Sequence, residues 1–115
     1  EKISVHDAFA MAEAGEVTLV DIRTPREWKQ TGVASLAKTI NVYDEAFLGD
    51  LMTLLEGDPT KPVAFICAVG GRSGQLSSIL ADRGFTQVFD VTEGMKGSGA
   101  GPGWIKAGLP VVDYN

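Results

Sequence analysis

The chain has 115 residues, which suits one domain with one hydrophobic core. Ten Lys and Arg residues against fifteen Asp and Glu residues give a formal net charge of -5, which argues against nucleic acid or an anionic membrane surface as the main partner. One cysteine excludes an internal disulfide, and one histidine leaves no cluster with the spacing of a zinc site, so we predict no metal and no cofactor.

The sequence contains neither a membrane-spanning pattern nor a signal segment. No apolar run approaches the roughly 18 residues that a membrane-spanning helix needs. We therefore predict a cytoplasmic monomer. Because the chain begins at Glu1 without a methionine, a removed leader and a periplasmic location stay open.

The N-terminal part predicts a helix and then a buried strand. Ser4 and Asp7 form a capping-box pattern that begins the helix, and Gly15 ends it. Residues 16–22 carry an almost continuous apolar run, which is typical of a strand covered on both faces. His6, the only histidine, falls in the first turn of the helix, where we predict a solvated or capping role.

A second, short helix is predicted to follow this strand directly. Thr24 can cap it, Pro25 fits its first position, and Glu27 completes a capping box. Gly32 ends the helix, and residues 32–37 are predicted to be irregular.

The middle of the chain predicts alternating strands and helices. Residues 38–42, 61–66 and 87–91 are predicted strands, and residues 44–57 and 73–83 contain predicted helices. The apolar residues expected to face the core from these helices are Phe47, Leu48, Leu51, Met52, Leu55, Leu76, Ile79 and Leu80. This alternation predicts an α/β fold with a parallel sheet and helices on both faces.

The C-terminal part begins with a glycine-rich segment. Five of the ten residues 94–103 are glycine, which forms neither helix nor strand well. Two interpretations stay open: a flexible surface connector, or a wall beside the loop that begins at Cys67. Trp104 and residues 109–112 are predicted to close the core.

The candidate chemistry lies between the strand at residues 61–66 and the next helix. Cys67 falls at the carboxyl end of that strand, the usual place for a ligand site in an open α/β sheet. Gly70 and Gly71 allow tight or left-handed turns, so that successive backbone N–H groups can surround the sulfur, and Arg72 adds a cation. Such a setting favours the nucleophilic thiolate. An inert buried cysteine is the alternative.

Several fragments, by their order and spacing, resemble a rhodanese domain nearly from end to end. They are Leu19 to Arg23 with Glu27-Trp28, Cys67 to Ser73, Gly84-Phe85 with Val88, and Trp104, Gly108, Pro110 and Val111. The resemblance implies one rhodanese domain over residues 1–115, built around a parallel five-stranded sheet. It also implies a sulfurtransferase that carries sulfane sulfur on its cysteine.

The resemblance further implies roles for individual residues. Cys67 would attack the outer sulfur of thiosulfate or of a persulfide, and then pass that sulfur to a thiol, to cyanide or to a protein acceptor. Arg72, the second catalytic residue, would anchor the loop and polarise the site, and Arg23 would contact the substrate, with a surface salt bridge to a nearby acid as the alternative. Asp21 would orient its neighbours. The implied substrate-binding positions in the loop are Ala68, Val69, Gly70, Gly71 and Ser73.

Loop length helps to separate the alternatives. Four residues lie between Cys67 and Arg72, as is typical of sulfur-transferring rhodaneses, whereas related phosphatases have one more. A non-catalytic sulfur-carrier or regulatory module and, less favoured, a cysteine phosphatase or arsenate reductase stay open. Gly32-Val33-Ala34 and Glu93-Gly94 depart from the family's usual Gly-His-Ile and Gly-Gly, so we expect different site access. The lack of a second loop cation suits a bulkier or less charged donor than thiosulfate.

Overall fold

The computed structural model describes residues 1–115 and contains four helices and seven short strands. In chain order these are β1 (Lys2–Ile3), α1 (Val5–Glu13), β2 (Thr18–Asp21), α2 (Pro25–Thr31), β3 (Val33–Ala34), β4 (Lys38–Thr39), α3 (Phe47–Leu54), β5 (Val63–Ile66), α4 (Gly71–Ala81), β6 (Val88–Val91) and β7 (Val111–Val112). Five strands form one parallel sheet in the order β1-β6-β5-β2-β4. The predicted α/β fold with a five-stranded parallel sheet is confirmed.

Both faces of the sheet are covered, as the continuous apolar strands predicted. Phe65 of β5 packs in a core with residues of α3 and α4, including Leu51 and Leu76. The next residue, Ile66, packs in the core on the opposite face, which includes Val5 of α1 and the fully buried Trp104. Successive residues of one strand therefore enter two different cores, and neither face of the strand can be polar.

The capping patterns that predicted the starts of α1 and α2 are confirmed. Ser4 Oγ accepts a hydrogen bond from the Asp7 backbone N–H at 3.1 Å and caps α1. At the start of α2, Thr24 and Glu27 form the complete capping box, with Pro25 in the first turn. These contacts satisfy backbone N–H groups that have no partner within the helix.

The prediction that residues 32–37 are irregular is wrong in part, because β3 pairs antiparallel with β7. A two-residue strand is too short to show a sequence pattern, and it forms because it pairs with its partner strand. The close approach requires Gly32, since an added Cβ would lie 2.6 Å from the Val112 carbonyl oxygen. Val111 and Val112 are 37% and 49% exposed. They serve strand pairing and do not close the core, contrary to the prediction.

Other differences concern short or marginal positions. The fifth strand of the parallel sheet is β1, an edge strand of two residues that pairs with β6 and that the sequence pattern did not indicate. Leu48 and Ile79 are exposed, so the apolar faces of α3 and α4 are narrower than predicted. Both line an apolar cavity of ≈ 470 Å³ between these helices.

None of the helices combines the length and the apolar character that a membrane span needs.

The glycine-rich segment at residues 94–103 lies against the Cys67 loop, as the wall interpretation proposed. The Met95 N–H donates to the Cys67 carbonyl at 2.8 Å, and the Lys96 N–H donates to the Ala68 carbonyl at 2.9 Å. The carboxylate of Glu93, 5% exposed, accepts bonds from the backbone N–H groups of Val5 and Gly103. The segment is therefore fixed to both the loop and the start of α1.

Gly94 provides a test of this contact. Its φ is +71°, and an added Cβ would lie 2.3 Å from the Ala68 carbonyl oxygen. We expect Gly94→Ala to lower the free energy of unfolding by about 3 kcal/mol, because it combines backbone strain with a steric clash. Gly99→Ala is the matched control, since nothing lies within 4 Å of its added Cβ. Denaturant unfolding that gives equal stability for the two variants would contradict the contact.

Candidate active site

The Cys67 loop connects the end of β5 to the start of α4 at the carboxyl edge of the sheet. Cys67 itself is only 1% exposed, while Val69 at the loop surface is 56% exposed. Gly70 adopts a left-handed conformation with φ +92°, and an added Cβ would lie 2.4 Å from the Thr92 carbonyl oxygen. Only glycine fits this turn, which reverses the chain over the sulfur.

The sulfur of Cys67 accepts hydrogen bonds from two backbone N–H groups. The donors are Gly70 N, 3.2 Å from Sγ, and Ser73 N, 3.4 Å from Sγ. Ser73 Oγ also lies 3.5 Å from Sγ. The predicted cradle of N–H groups is therefore present, but it is smaller than expected, because Ala68, Val69 and Gly71 donate no hydrogen bond to the sulfur.

Arg72 is fixed by a bidentate ion pair with Glu27. Its Nη1 and Nη2 donate to the two carboxylate oxygens at 2.8 and 2.9 Å. Glu27 Oε1 also accepts from Thr24 N and Thr24 Oγ1, so one carboxylate serves both the cap of α2 and the Cys67 loop. The Arg72 hydrogen bonds lower the pKa of Glu27 from 4.5 to about 2, and in turn they raise the pKa of Arg72. The arrangement agrees with the anchoring role predicted for Arg72.

Arg23, the predicted substrate contact, lies inside the protein in this structure. It is fully buried, and its guanidinium donates to Asp21, to Thr31 Oγ1 and to the Gly32 carbonyl. The alternative, a salt bridge with a nearby acid, describes it better, although the pair is buried and not on the surface. Asp21 also accepts a hydrogen bond from Trp28 Nε1 at 3.1 Å. Asp21 therefore accepts hydrogen bonds from both Arg23 and Trp28, and its supporting role in the site stays a prediction.

Two buried acids near the loop were missed by the sequence reasoning. Asp90, 6% exposed, accepts a 2.6 Å hydrogen bond from Ser73 Oγ, and Glu93 joins the glycine-rich segment to α1. The pairing of Glu27 with Arg72 was also missed. A signal existed for Asp90, because an acid within an otherwise apolar strand requires a buried polar partner. No sequence signal identified that partner as Ser73.

Cys67 lines none of the three cavities of ≈ 490, ≈ 470 and ≈ 340 Å³ that lie elsewhere on the protein. The first is bordered by Asp90 and Gly74, behind the loop. Tyr43, 68% exposed, is near enough to Arg72 to contribute to its raised pKa. No three His, Cys, Asp or Glu side chains lie together where they could share a metal ion.

Comparison with known proteins identifies the family. The model of the rhodanese-like domain matches residues 4–99, which is most of the chain. The chain therefore belongs to the rhodanese-like domain family. Among solved structures, Rv0390 from M. tuberculosis shares the fold, with a TM-score of 0.76, 24% identity and coverage of 98% of this chain and 97% of that chain.

Two relatives carry names that refer to sulfur chemistry. The thiosulfate sulfurtransferase GlpE of Actinobacillus pleuropneumoniae serotype 3 (strain JL03) is 29% identical over 110 residues, covering 96% of this chain and 91% of that protein. The 30 kDa polysulfide-sulfur transferase homodimer from Wolinella succinogenes is 28% identical, with a TM-score of 0.71 and coverage of 99% and 79%. These similarities support the sulfurtransferase class for this chain.

The ion pair between Glu27 and Arg72 gives a pH-dependent prediction. We expect Glu27→Gln to lower the free energy of unfolding by about 2 kcal/mol at neutral pH, because a charge-assisted bidentate bond is lost. The pKa of Glu27 is depressed in the folded state, so its contribution is complete above the unfolded value of 4.5 and is lost as the pH falls toward about 2. Urea unfolding at several pH values measures the difference.

The control for this experiment is Glu16→Gln, which removes an exposed acid outside the site. We expect its stability to equal that of the wild type at every pH. A Glu27→Gln difference that stays constant from neutral pH to below pH 4.5 would show that the ion pair does not supply the stabilisation.

Proposed function

We propose that this protein is a sulfurtransferase that moves sulfane sulfur from a thiosulfate or persulfide donor to a thiol or cyanide acceptor through a persulfide on Cys67. We further propose that residues 1–115 act as one rhodanese domain, because β7 at the C-terminal end pairs with β3 near the middle of the chain. In the first step Cys67 Sγ forms a bond to the outer sulfur of the donor, and sulfite or a thiol leaves with the electron pair of the broken S–S bond.

The observation that carries this proposal is the direct contact between Cys67 Sγ and the loop N–H groups of Gly70 and Ser73. Such donors stabilise negative charge on a sulfur atom. The loop is also short, with four residues between Cys67 and Arg72. The proposal therefore favours a persulfide over a phosphoryl group, which needs a wider cradle.

The charges around the loop support a donor of low negative charge. Arg72 is paired with Glu27, and Arg23 is paired with Asp21, so neither guanidinium is free to bind a dianion. The net charge of -5 adds no attraction for anions at long range. We therefore expect an organic persulfide to be a better donor than thiosulfate.

The central prediction is that Cys67→Ala loses sulfur transfer. We expect the rate of thiocyanate formation from cyanide, with either donor, to fall by at least about a thousandfold, since no other group can carry the sulfur. The measurement compares thiosulfate and a low-molecular-weight organic persulfide at equal concentration. The wild type should show the higher kcat/KM with the persulfide.

His6→Ala is the matched control, because His6 is exposed in the first turn of α1 and contacts nothing in the site. It should retain wild-type rates. Sulfur transfer that persists in Cys67→Ala would reject the proposal. Hydrolysis of an aryl phosphate that disappears in the same variant, without sulfur transfer in the wild type, would favour a phosphatase instead.

A further inference from the structure

The buried carboxylate of Asp90 is connected to the sulfur of Cys67 through the hydroxyl group of Ser73. Ser73 Oγ donates to Asp90 Oδ1 at 2.6 Å, and Cys67 Sγ lies 3.5 Å from the same Ser73 oxygen, with the thiol as donor. Ser73 Oγ has a longer contact of 3.3 Å with the Gly70 carbonyl. A hydroxyl has one proton to donate, and the short bond to a carboxylate is the stronger choice.

This arrangement determines what Ser73 offers to the sulfur. Because the hydroxyl proton is directed at Asp90, a lone pair of Ser73 Oγ faces Sγ and accepts from the thiol. This arrangement favours the protonated thiol, in opposition to the two backbone N–H groups that favour the thiolate.

We propose that Asp90 restrains the nucleophilicity of Cys67 by fixing the Ser73 hydroxyl as a hydrogen-bond acceptor for the sulfur. Asp90 is a positioning residue that acts through Ser73 and does not touch the substrate. When Cys67 ionises, the S–H bond breaks, the proton passes to water, and the Ser73 hydroxyl turns from Asp90 to donate to the thiolate. Sulfur transfer then begins from this rearranged state, and this part of the inference rests on the proposed function.

The surroundings of Asp90 allow this exchange. Asp90 lines the cavity of ≈ 490 Å³ behind the loop, where water can replace Ser73 as its partner. Gly74 of α4 leaves room for the carboxylate, since an added Cβ would lie 3.3 Å from Asp90 Oδ2. The hydroxyl proton therefore has two acceptors within reach, Asp90 in the thiol state and the Cys67 sulfur once it has ionised.

Few charged groups compete for Asp90. On the edge strand β1, Lys2 is its register partner and borders the same cavity, as does Glu1, but neither Lys2 nor the amino group of Glu1 forms an ion pair with Asp90. The neighbour in β5 is Phe65, and the residues of α4 that border the cavity carry no charge. Arg72, next to Ser73 in sequence, is bound to Glu27. No salt bridge therefore neutralises the carboxylate of Asp90.

The test measures the rate of Cys67 alkylation by iodoacetamide as a function of pH. We expect Asp90→Asn to raise the rate at neutral pH about tenfold and to move the pH of half-maximal rate down by about one unit, because the Ser73 hydroxyl, no longer held by a carboxylate, can donate a hydrogen bond to the thiolate. If Asp90 only held α4 against β6, Asp90→Asn would change the stability of the protein but not the pH dependence of the alkylation rate. The assay needs no sulfur donor, so its outcome is independent of whether the protein transfers sulfur.

Two controls separate the proposed route from general effects. Glu93→Gln removes another buried carboxylate, which has no contact with Cys67 or Ser73, and should leave the profile unchanged. In a Ser73→Ala background, the effect of Asp90→Asn should largely disappear, because the connecting hydroxyl is absent. Equal effects with and without Ser73, or an equal shift in Glu93→Gln, would overturn the proposal.

Unfolding would also increase alkylation, so each variant must retain the wild-type circular dichroism spectrum at the assay temperature. If Asp90→Asn does not fold, Asp90→Val supplies the same test, since a β-branched residue suits the strand and leaves Ser73 without its acceptor. An alkylation rate at neutral pH that is unchanged or lower in the folded variant would contradict the inference.

Discussion

The site depends on contacts that hold the backbone of the Cys67 loop against the segment that follows β6. Gly70 turns the loop in a left-handed conformation against Thr92, and the Met95 and Lys96 N–H groups donate to the carbonyls of Cys67 and Ala68. With the backbone held by these contacts, two N–H groups point at Cys67 Sγ. Electrostatic stabilisation of this kind is effective because the donors are already oriented before any reaction occurs.

Charged residues near the site mainly support the loop. Glu27 caps α2 and binds Arg72, so the start of α2 determines the position of a guanidinium in the first turn of α4. Arg23 is used in the same way within its own segment, where Asp21 neutralises it. Both the Arg23 and the Arg72 guanidinium are therefore paired, which supports the proposal of a weakly charged sulfur donor. In the proposed arrangement, Asp90 acts through Ser73 and opposes the effect of the loop N–H groups.

Sequence reasoning succeeded where the cause is local. Thr24 and Glu27 carry their capping chemistry within four residues, and Cys67 with its glycine pair indicates a turn after a buried strand, so the helix starts and the site position were predictable. It failed where the partner is remote in the chain. Whether Ser73 contacts Asp90, and whether Glu27 contacts Arg72, depends on how separate strands and helices meet. Neither propensity nor spacing contains that information.

The most direct test of the account is the intact mass of the protein after exposure to an organic persulfide or to thiosulfate, followed by a reducing thiol. We predict a gain of one sulfur atom, about 32 Da, that the thiol reverses and that Cys67→Ala does not show. Such a result would establish Cys67 as the sulfur carrier. A folded wild-type protein that gains no sulfur from either donor, or a gain of equal size in Cys67→Ala, would contradict the account.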